Sequence, residues 1–570
     1  MKLFIKKIYL TLFFLVILSV DAEIFAKDSK NEYFRESISS YFSATVSYNS
    51  NNIEKTYKYL DKIKKINRNH NNYKIQYIHS LVLLKKLEQA IDFSKEINKN
   101  SNSLFEADLL LGLNSYTEKD YIKAEKYFSN LNKVSQSHAI YKDFIKDMLL
   151  SWTQAAQNNK EKSFYYHDKI SNQYYNLKRI QNSLLECYFD TSKVEMSFEE
   201  LINDKNNVFL RYNFFLGNYL LRKNKNEKAK EIISYNSKLY DSNILLKQTE
   251  NFILSGKSEK IISFFNCQNP KDNIAEIFYI LSDLYASDED YNLSNFYLRL
   301  SLYLNNKFTP NKALLAENLF FEKKYKMSKK IYNSLKSIGP IYSWYASKSI
   351  STIISDKGNI DLSILNLEKE FDLLINPNFK NYYEMANFYK EREYYEKAIE
   401  YYSIALEKTT KDHLLIPKIL YRRGTSYEIL KDWDKAEADL KKSLEILPNQ
   451  AFVLNYLAYS WIEKKINIDE SLEMLKRATE LEENNGYILD SLGWAYYANK
   501  EYILAENFLR QAVELMPLES VINDHYADAL WMLNKRIQAR YFWSQVLDLD
   551  DIEKDLEEKV SKKLVFGLTK

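Results

Sequence analysis

Six histidines, two cysteines and scattered paired carboxylates are the side chains of this 570-residue chain that could do chemistry. The histidines are His70, His79, His138, His167, His413 and His525. No two stand four residues apart, and none sits in the His-Glu-x-x-His frame that puts two imidazoles on one helical face around zinc. Cys187 and Cys267 have no metal-ligand spacing; we read them as two buried thiols, with a single bridge as the alternative. Carboxylate pairs such as Glu199-Glu200 and Glu482-Glu483 are explained better by solvated helix faces than by general acid–base work. Gly-rich phosphate loops and a Gly-flanked serine elbow are both missing from the sequence. His525, within Asn523-Asp524-His525-Tyr526, is the one histidine to follow, and a satisfied imidazole on a helix face is its simplest reading. These residues define no catalytic group, no metal site and no cofactor site, so the expected protein is not an enzyme.

The elements available to position any site are helices. Gly 9 and Pro 7 in 570 residues leave little for hairpins or long turns, against roughly 12% Gly plus Pro in average proteins. The organising stretch is Gly486–Pro517, GYILDSLGWAYYANKEYILAENFLRQAVELMP. Leu492, Gly493 and Tyr496 are followed by Ala505, Leu509, Ala512 and Pro517, the spacing of a 34-residue helix–turn–helix unit. Gly493 and Ala505 fall where the two helices cross and must be small. Tyr496 and Leu509 fill the space around the crossing, and Pro517 closes the second helix. In these residues the chain resembles the tetratricopeptide repeat (TPR) family. The resemblance implies an all-α solenoid, a right-handed superhelix of antiparallel helix pairs.

The same phase recurs along the chain. Units starting at Ser37, Asn71 and Phe105 follow one another at 34-residue intervals, the last with Leu111, Gly112, Ala124 and Phe128. The pattern blurs at 173–205, where no clear small residues are seen, and again at 240–270; between them Leu216, Gly217 and Ala229 restore it. Asn376-Pro377-Asn378 is the most turn-like segment and the expected joint between two lobes. The C-terminal units start near Phe379, Pro417, Ala451, Gly486 and Ser520. The expected organisation is a signal peptide over 1–26, a degenerate TPR-like array over 27–376, a well-matched TPR array over 377–554, and a capping helix or tail over 555–570.

In stacked pairs the first helices line a concave face, and residues at i, i+3/i+4, i+7 point into it. In the C-terminal lobe that rule selects Tyr383 and Asn387, Tyr421 and Thr425, Asn455 and Tyr459, Asp490 and Trp494, then Asp524, Asp528 and Trp531. The expected partner-binding set is Tyr421, Asn455, Tyr459, Asp490, Trp494, Asp524, Asp528 and Trp531. Amides and carboxylates would hold a peptide backbone, and flat aromatics its side chains. For the Asn/Asp column the competing reading is plain solvation; for the two tryptophans it is the core between repeats.

Charge and leader place the protein. With 80 basic and 77 acidic residues the net charge is +3 and no basic stripe appears, which argues against nucleic acid. Lys2, Lys6 and Lys7 precede the apolar run Ile8–Val20, and small residues for cleavage follow at Ala22 or Ala26. That run is shorter than the roughly 20 residues a membrane span needs. The expected mature chain is periplasmic with no transmembrane helix; an uncleaved inner-membrane anchor is the alternative. The runs Leu454-Asn455-Tyr456-Leu457-Ala458-Tyr459, Ile488-Leu489-Asp490-Ser491-Leu492-Gly493-Trp494 and Asn523-Asp524-His525 resemble exported TPR proteins of proteobacteria. That resemblance implies a scaffold for protein or peptide partners. Its family includes lipoprotein adaptors of a carboxyl-terminal processing protease that acts on peptidoglycan hydrolases, so an adaptor role toward an envelope protease or a cell-wall hydrolase is a second expectation. The chain lacks the acylatable cysteine of those lipoproteins. A cell-wall-modifying enzyme is a third reading, with no acid–base pair to support it.

Overall fold

The computed structural model describes residues 35–64, 70–99, 104–131, 141–204, 209–239, 243–410, 413–549 and 552–568. The expected signal over 1–26, with Ala22 and Ala26, lies outside them. Among the described residues there are 31 α-helices, one short 3-10 helix and no strand. They form fifteen consecutive hairpins, from Arg35–Asn49 with Ile53–Lys62 to Ser520–Met532 with Arg536–Leu547, followed by the single helix Lys554–Phe566. The expected all-α fold of antiparallel helix pairs is what these residues form. No described helix is long and apolar enough to cross a membrane.

Each hairpin turns on a residue in the left-handed region, from Asn51 (φ 57°) and Lys85 (φ 63°) to Lys500 (φ 64°) and Asn534 (φ 63°), with two, Lys465 and Asn467, in the turn before Ile468–Leu481. Only Gly256 and Gly358 fill this position with glycine. The turn ends the first helix by reaching back: Lys85 N–H donates to Val82 O at 3.0 Å, and Lys86 N–H to Leu81 O at 2.8 Å. Two orphan carbonyls are thereby satisfied in a Schellman-type cap. A lysine or asparagine in this conformation costs roughly 1–2 kcal/mol of backbone strain, which the packing of each hairpin offsets.

Packing within a hairpin depends on close approach at the crossing. A Cβ on Gly493 would stand 2.6 Å from Leu509 Cγ, and one on Gly112 would stand 2.3 Å from Phe128 Cε1. The matching positions on the second helices, Ala505 and Ala124, are fully buried. At several serine slots the hydroxyl bonds the facing main chain: Ser151 donates to Ser163 O at 2.8 Å, Ser294 to Ser282 O at 2.7 Å, and Ser328 to Ala316 O at 2.7 Å. This corrects the reading of 173–205 as lacking small residues. Tyr175–Tyr188 and Val194–Ile202 form an ordinary hairpin there, with Ser183 donating to Ser197 O at 3.0 Å.

The second blurred stretch departs in stacking rather than in helix content. Its second helix, Ser258–Phe264, has seven residues and stops at extended Phe265. Its first, Ile244–Leu254, reaches past its neighbours: Gln248 Oε1 accepts from Ile341 N–H at 3.1 Å and fills the space beside Gly339. Cys267 follows the shortened helix and is bonded to Cys187 at the end of Tyr175–Tyr188 (Cα–Cα 5.8 Å). The expectation of two free thiols is therefore corrected to a disulfide. The bond joins cysteines that are remote in sequence. Closing an 80-residue separation removes about 4.5 kcal/mol of unfolded-chain entropy in the loop-closure account.

The chain divides into two compact units, up to Ser363 and from Ile364, within the helix Ile360–Asp372. Asn376-Pro377-Asn378 follows that helix, and Asn378 starts the next one with a capping box to Asn381. The first unit folds back on itself. His79 packs on Phe296 (4.4 Å between ring centroids), Asn292 Nδ2 donates to Asn51 Oδ1 at 2.6 Å, and the hydroxyls of Thr117 and Tyr303 bond at 3.0 Å. One continuous core consequently runs from Ala44 to Phe308.

Two substitutions test the hairpin's two constraints. Gly493→Val overpacks the crossing and lowers the unfolding free energy of the full chain by about 1–3 kcal/mol in urea titration. Lys500→Gly relieves the left-handed turn and raises it by about 0.5–1 kcal/mol.

Candidate functional site

In the second unit the first helices are Phe379–Lys390, Ile416–Ile429, Ala451–Glu463, Gly486–Ala498 and Ser520–Met532. All eight residues of the expected partner-binding set lie on the last four of these helices. Their side chains form a ladder from each first helix to the next, and the ladder's character changes along its length.

At the C-terminal end it is closed. Asp490 is buried, and both its carboxylate oxygens face His525 Nδ1, at 3.0 and 3.1 Å. Burial works against charge on His525, but Asp490, then Asp524 and Asp528, outweigh it and raise the imidazole above its ordinary value. Trp494 lies flat on His525, with 4.0 Å between centroids and 11° between planes, stacks on Tyr497, and donates its Nε1–H to Glu463 at 2.7 Å. Asp524 and Asp528 are both buried and both accept from Lys563 Nζ, at 2.7 and 2.8 Å. Lys563 comes from the last helix, which occupies the place a further repeat would take. Asp528 also accepts from the indole of Trp543 at 3.0 Å. Its carboxyl is pushed up to about 6, by burial first and Asp524 second, with Lys563 and His525 opposing. Trp531 is half-buried against Trp543, under Arg536 and Arg540. Gly567 (φ 74°) lies so close that a Cβ there would stand 2.0 Å from the Trp531 ring.

Toward the N-terminal end of the unit the ladder is open. Tyr421 and Tyr459 are half-buried, and Tyr421 meets Tyr456 edge-on at 5.9 Å. Burial raises both phenols. Asn455 keeps a buried Oδ1 with no hydrogen-bond partner. One step further, Asn387 Oδ1 accepts from Arg422 Nη1 at 2.9 Å and from the Tyr402 hydroxyl at 2.7 Å. Lys390 Nζ donates to the Thr425 hydroxyl and to Arg422 O, and among the described residues it meets no carboxylate. Burial first, then the neighbouring Arg422, bring this ammonium down to about 8. Sequence reasoning passed over Lys390 and Arg422, which read as solvated charges. The signal was their place on first helices, Lys390 three residues after Asn387 and Arg422 beside Tyr421.

Among the described residues no group of three or more His, Cys, Asp or Glu could hold a metal ion. The tetratricopeptide repeat family matches residues 417–450. A TPR repeat-containing protein of Pseudomonas aeruginosa is 30% identical over 113 residues, which cover 20% of this chain and 19% of that relative. The chain thus matches about a fifth of the relative's length. Solved structures with likeness include MamA of Desulfovibrio magneticus (19% identity, 31% of this chain, 97% of that one, TM-score 0.28). A thermophilic TPR protein of Thermus thermophilus is also similar (18% identity, 33% of this chain, 100% of that one, TM-score 0.29).

The closed end has a pH signature. A carboxyl whose folded pKa is raised contributes stability at low pH that is lost as pH climbs from its unfolded value through about 6. Lys563 limits that loss. Lys563→Met therefore destabilises the chain by about 3 kcal/mol at pH 8 and by clearly less at pH 5, as read by urea unfolding followed through tryptophan fluorescence.

Proposed function

Because the chain carries tetratricopeptide repeats, an architecture that offers rows of first helices to other proteins, we propose that it is an exported, non-catalytic scaffold. In this reading it holds an acidic or carboxylate-terminated stretch of a partner protein on the open end of the second unit's ladder. The observation that carries this is Lys390. It is a partly buried cation, brought down to about 8, beside a second cation, with only neutral oxygens as partners. A bound carboxylate would turn mutual repulsion between Lys390 and Arg422 into two charge-assisted hydrogen bonds. Tyr421 and Tyr459 supply flat surfaces for flanking side chains, and the unpaired Asn455 Oδ1 supplies an acceptor for a peptide N–H.

Export to an oxidising compartment such as the periplasm is supported by the basic and apolar residues at Lys2–Val20 and by the Cys187–Cys267 pairing. The C-terminal acid pair serves the architecture in this reading, because Lys563 and His525 already neutralise it.

The test is anisotropy of a fluorescent hexapeptide rich in Asp and Glu with a free C-terminus, against an uncharged amidated control. Only the acidic peptide binds the wild-type chain. The double substitution Lys390→Gln/Arg422→Gln weakens it at least about tenfold, the loss of roughly one charge-assisted bond. Raising the pH from 7 to 9 weakens it as Lys390 loses its proton. Equal binding of the two peptides, or unchanged binding by the double variant, refutes the site. Export is checked by thiol alkylation of protein from cells: the cysteines label only after reduction.

A further inference from the structure

The first unit contains a cavity of about 590 Å³ that the proposed scaffold role does not use. It opens where the opening hairpin, the end of Asn71–Leu83, and the helices Tyr291–Leu304 and Thr309–Phe321 come together. The volume suits a small organic ligand, within the ordinary range of roughly 300–1,000 Å³. Leucine, isoleucine and methionine side chains supply much of the wall, including Leu83, Leu315 and Leu319. Its charged side chains are five cations and two acids.

Arg299 is the anomaly. It lines the cavity, its Nε is buried with no hydrogen-bond partner, and no carboxylate, carbonyl or aromatic ring among the described residues meets its guanidinium. Burial alone, with no opposing acid, pulls it down to about 10. Other buried guanidiniums of this chain have found partners. Arg211 has Glu276 and the face of Tyr279, Arg423 holds Asp439 with two 2.7 Å bonds, and Arg222 reaches the carbonyl of Phe265 at 2.8 Å. The cations near Arg299 add to the imbalance: Lys85 is lowered by Arg299 first, then by burial and Lys330. The acids do not relieve it. Glu322 accepts from Lys324 at 2.8 Å on one oxygen and from Asn295 at 3.0 Å on the other, and Glu54 is exposed.

A guanidinium presents a planar fork that matches an oxyanion, and leaving it bare in a partly apolar cavity costs free energy that such a ligand would recover. We propose that the cavity binds an organic anion with a compact carboxylate or phosphate head on a short apolar body, the head seated on Arg299.

The test is the thermal transition of the full chain with octanoate, hexyl phosphate, inorganic phosphate or octanol. An amphiphilic anion raises the transition by about 2 °C or more at concentrations well above its Kd; octanol does not. The stronger of octanoate and hexyl phosphate identifies the head group. Arg299→Met removes the unpaired charge, so without ligand it melts no lower than wild type, which shows that it folds. It also loses the response to the anion. Lys390→Gln/Arg422→Gln keeps the wild-type response. No shift with either amphiphilic anion, or a full shift in Arg299→Met, overturns the proposal. A shift abolished by the Lys390/Arg422 variant would place the anion in the second unit, and would overturn it as well.

Discussion

Two helices can lie against each other along a hairpin only if the residues at their crossing are too small to hold them apart. That constraint is met here by glycine, alanine or serine, as at Gly112, Gly493, Ala505 and Ser294. Much else follows from it. A hairpin closed this way exposes an apolar flank that only the next hairpin can cover, so the chain grows by stacking without needing a thicker core. The turn between the two helices must then be short, and the left-handed residue that shortens it recurs in every hairpin, more often lysine or asparagine than glycine. The packing of each pair is strong enough to hold a side chain in a backbone conformation it would not choose.

Stacking first helices side by side puts polar residues of neighbouring repeats within reach of one another, and burial then demands that charges be balanced. At the C-terminal end the balance is internal: Asp490 faces His525, and Asp524 with Asp528 face Lys563. The last helix completes the array by supplying a counter-charge as well as an apolar cover. At Lys390 no carboxylate arrives from the next helix; Arg422 and Thr425 stand there instead. The same accounting distinguishes Arg299 in the first unit, where the chain folds back on itself and leaves a guanidinium without a counter-ion. In a solenoid the informative position is the charge whose partner is missing from the neighbouring repeat.

The hairpin phase was readable because it is local: a small residue, an aromatic three positions on, and a small residue twelve positions after the first. It faded at 173–205 because Ser183 and Ser197, which bond across the crossing there, stand 14 positions apart and so fall out of that phase. The Cys187–Cys267 bond was not readable, since 80 residues of separation carry no information on distance once hairpins stack. For the inner face, period alone placed Asp490, Asp524 and Asp528 on their helices. It could not say what stands opposite, because His525 and Lys563 come from the following elements. Lys390 was lost for the reverse reason: its type suggests solvent, and only the absence of an opposing acid makes it distinctive.

The central claim is that partners meet the second unit where its ladder lacks internal counter-charges and not where Lys563 closes it. Photo-crosslinking in intact cells, with a benzophenone side chain placed at Asn455 in one strain and at Asp524 in another, tests it directly. The account predicts a protein adduct from position 455 that disappears with Lys390→Gln/Arg422→Gln, and none from position 524. An adduct from 524 alone, or one from 455 that ignores the double substitution, would contradict it.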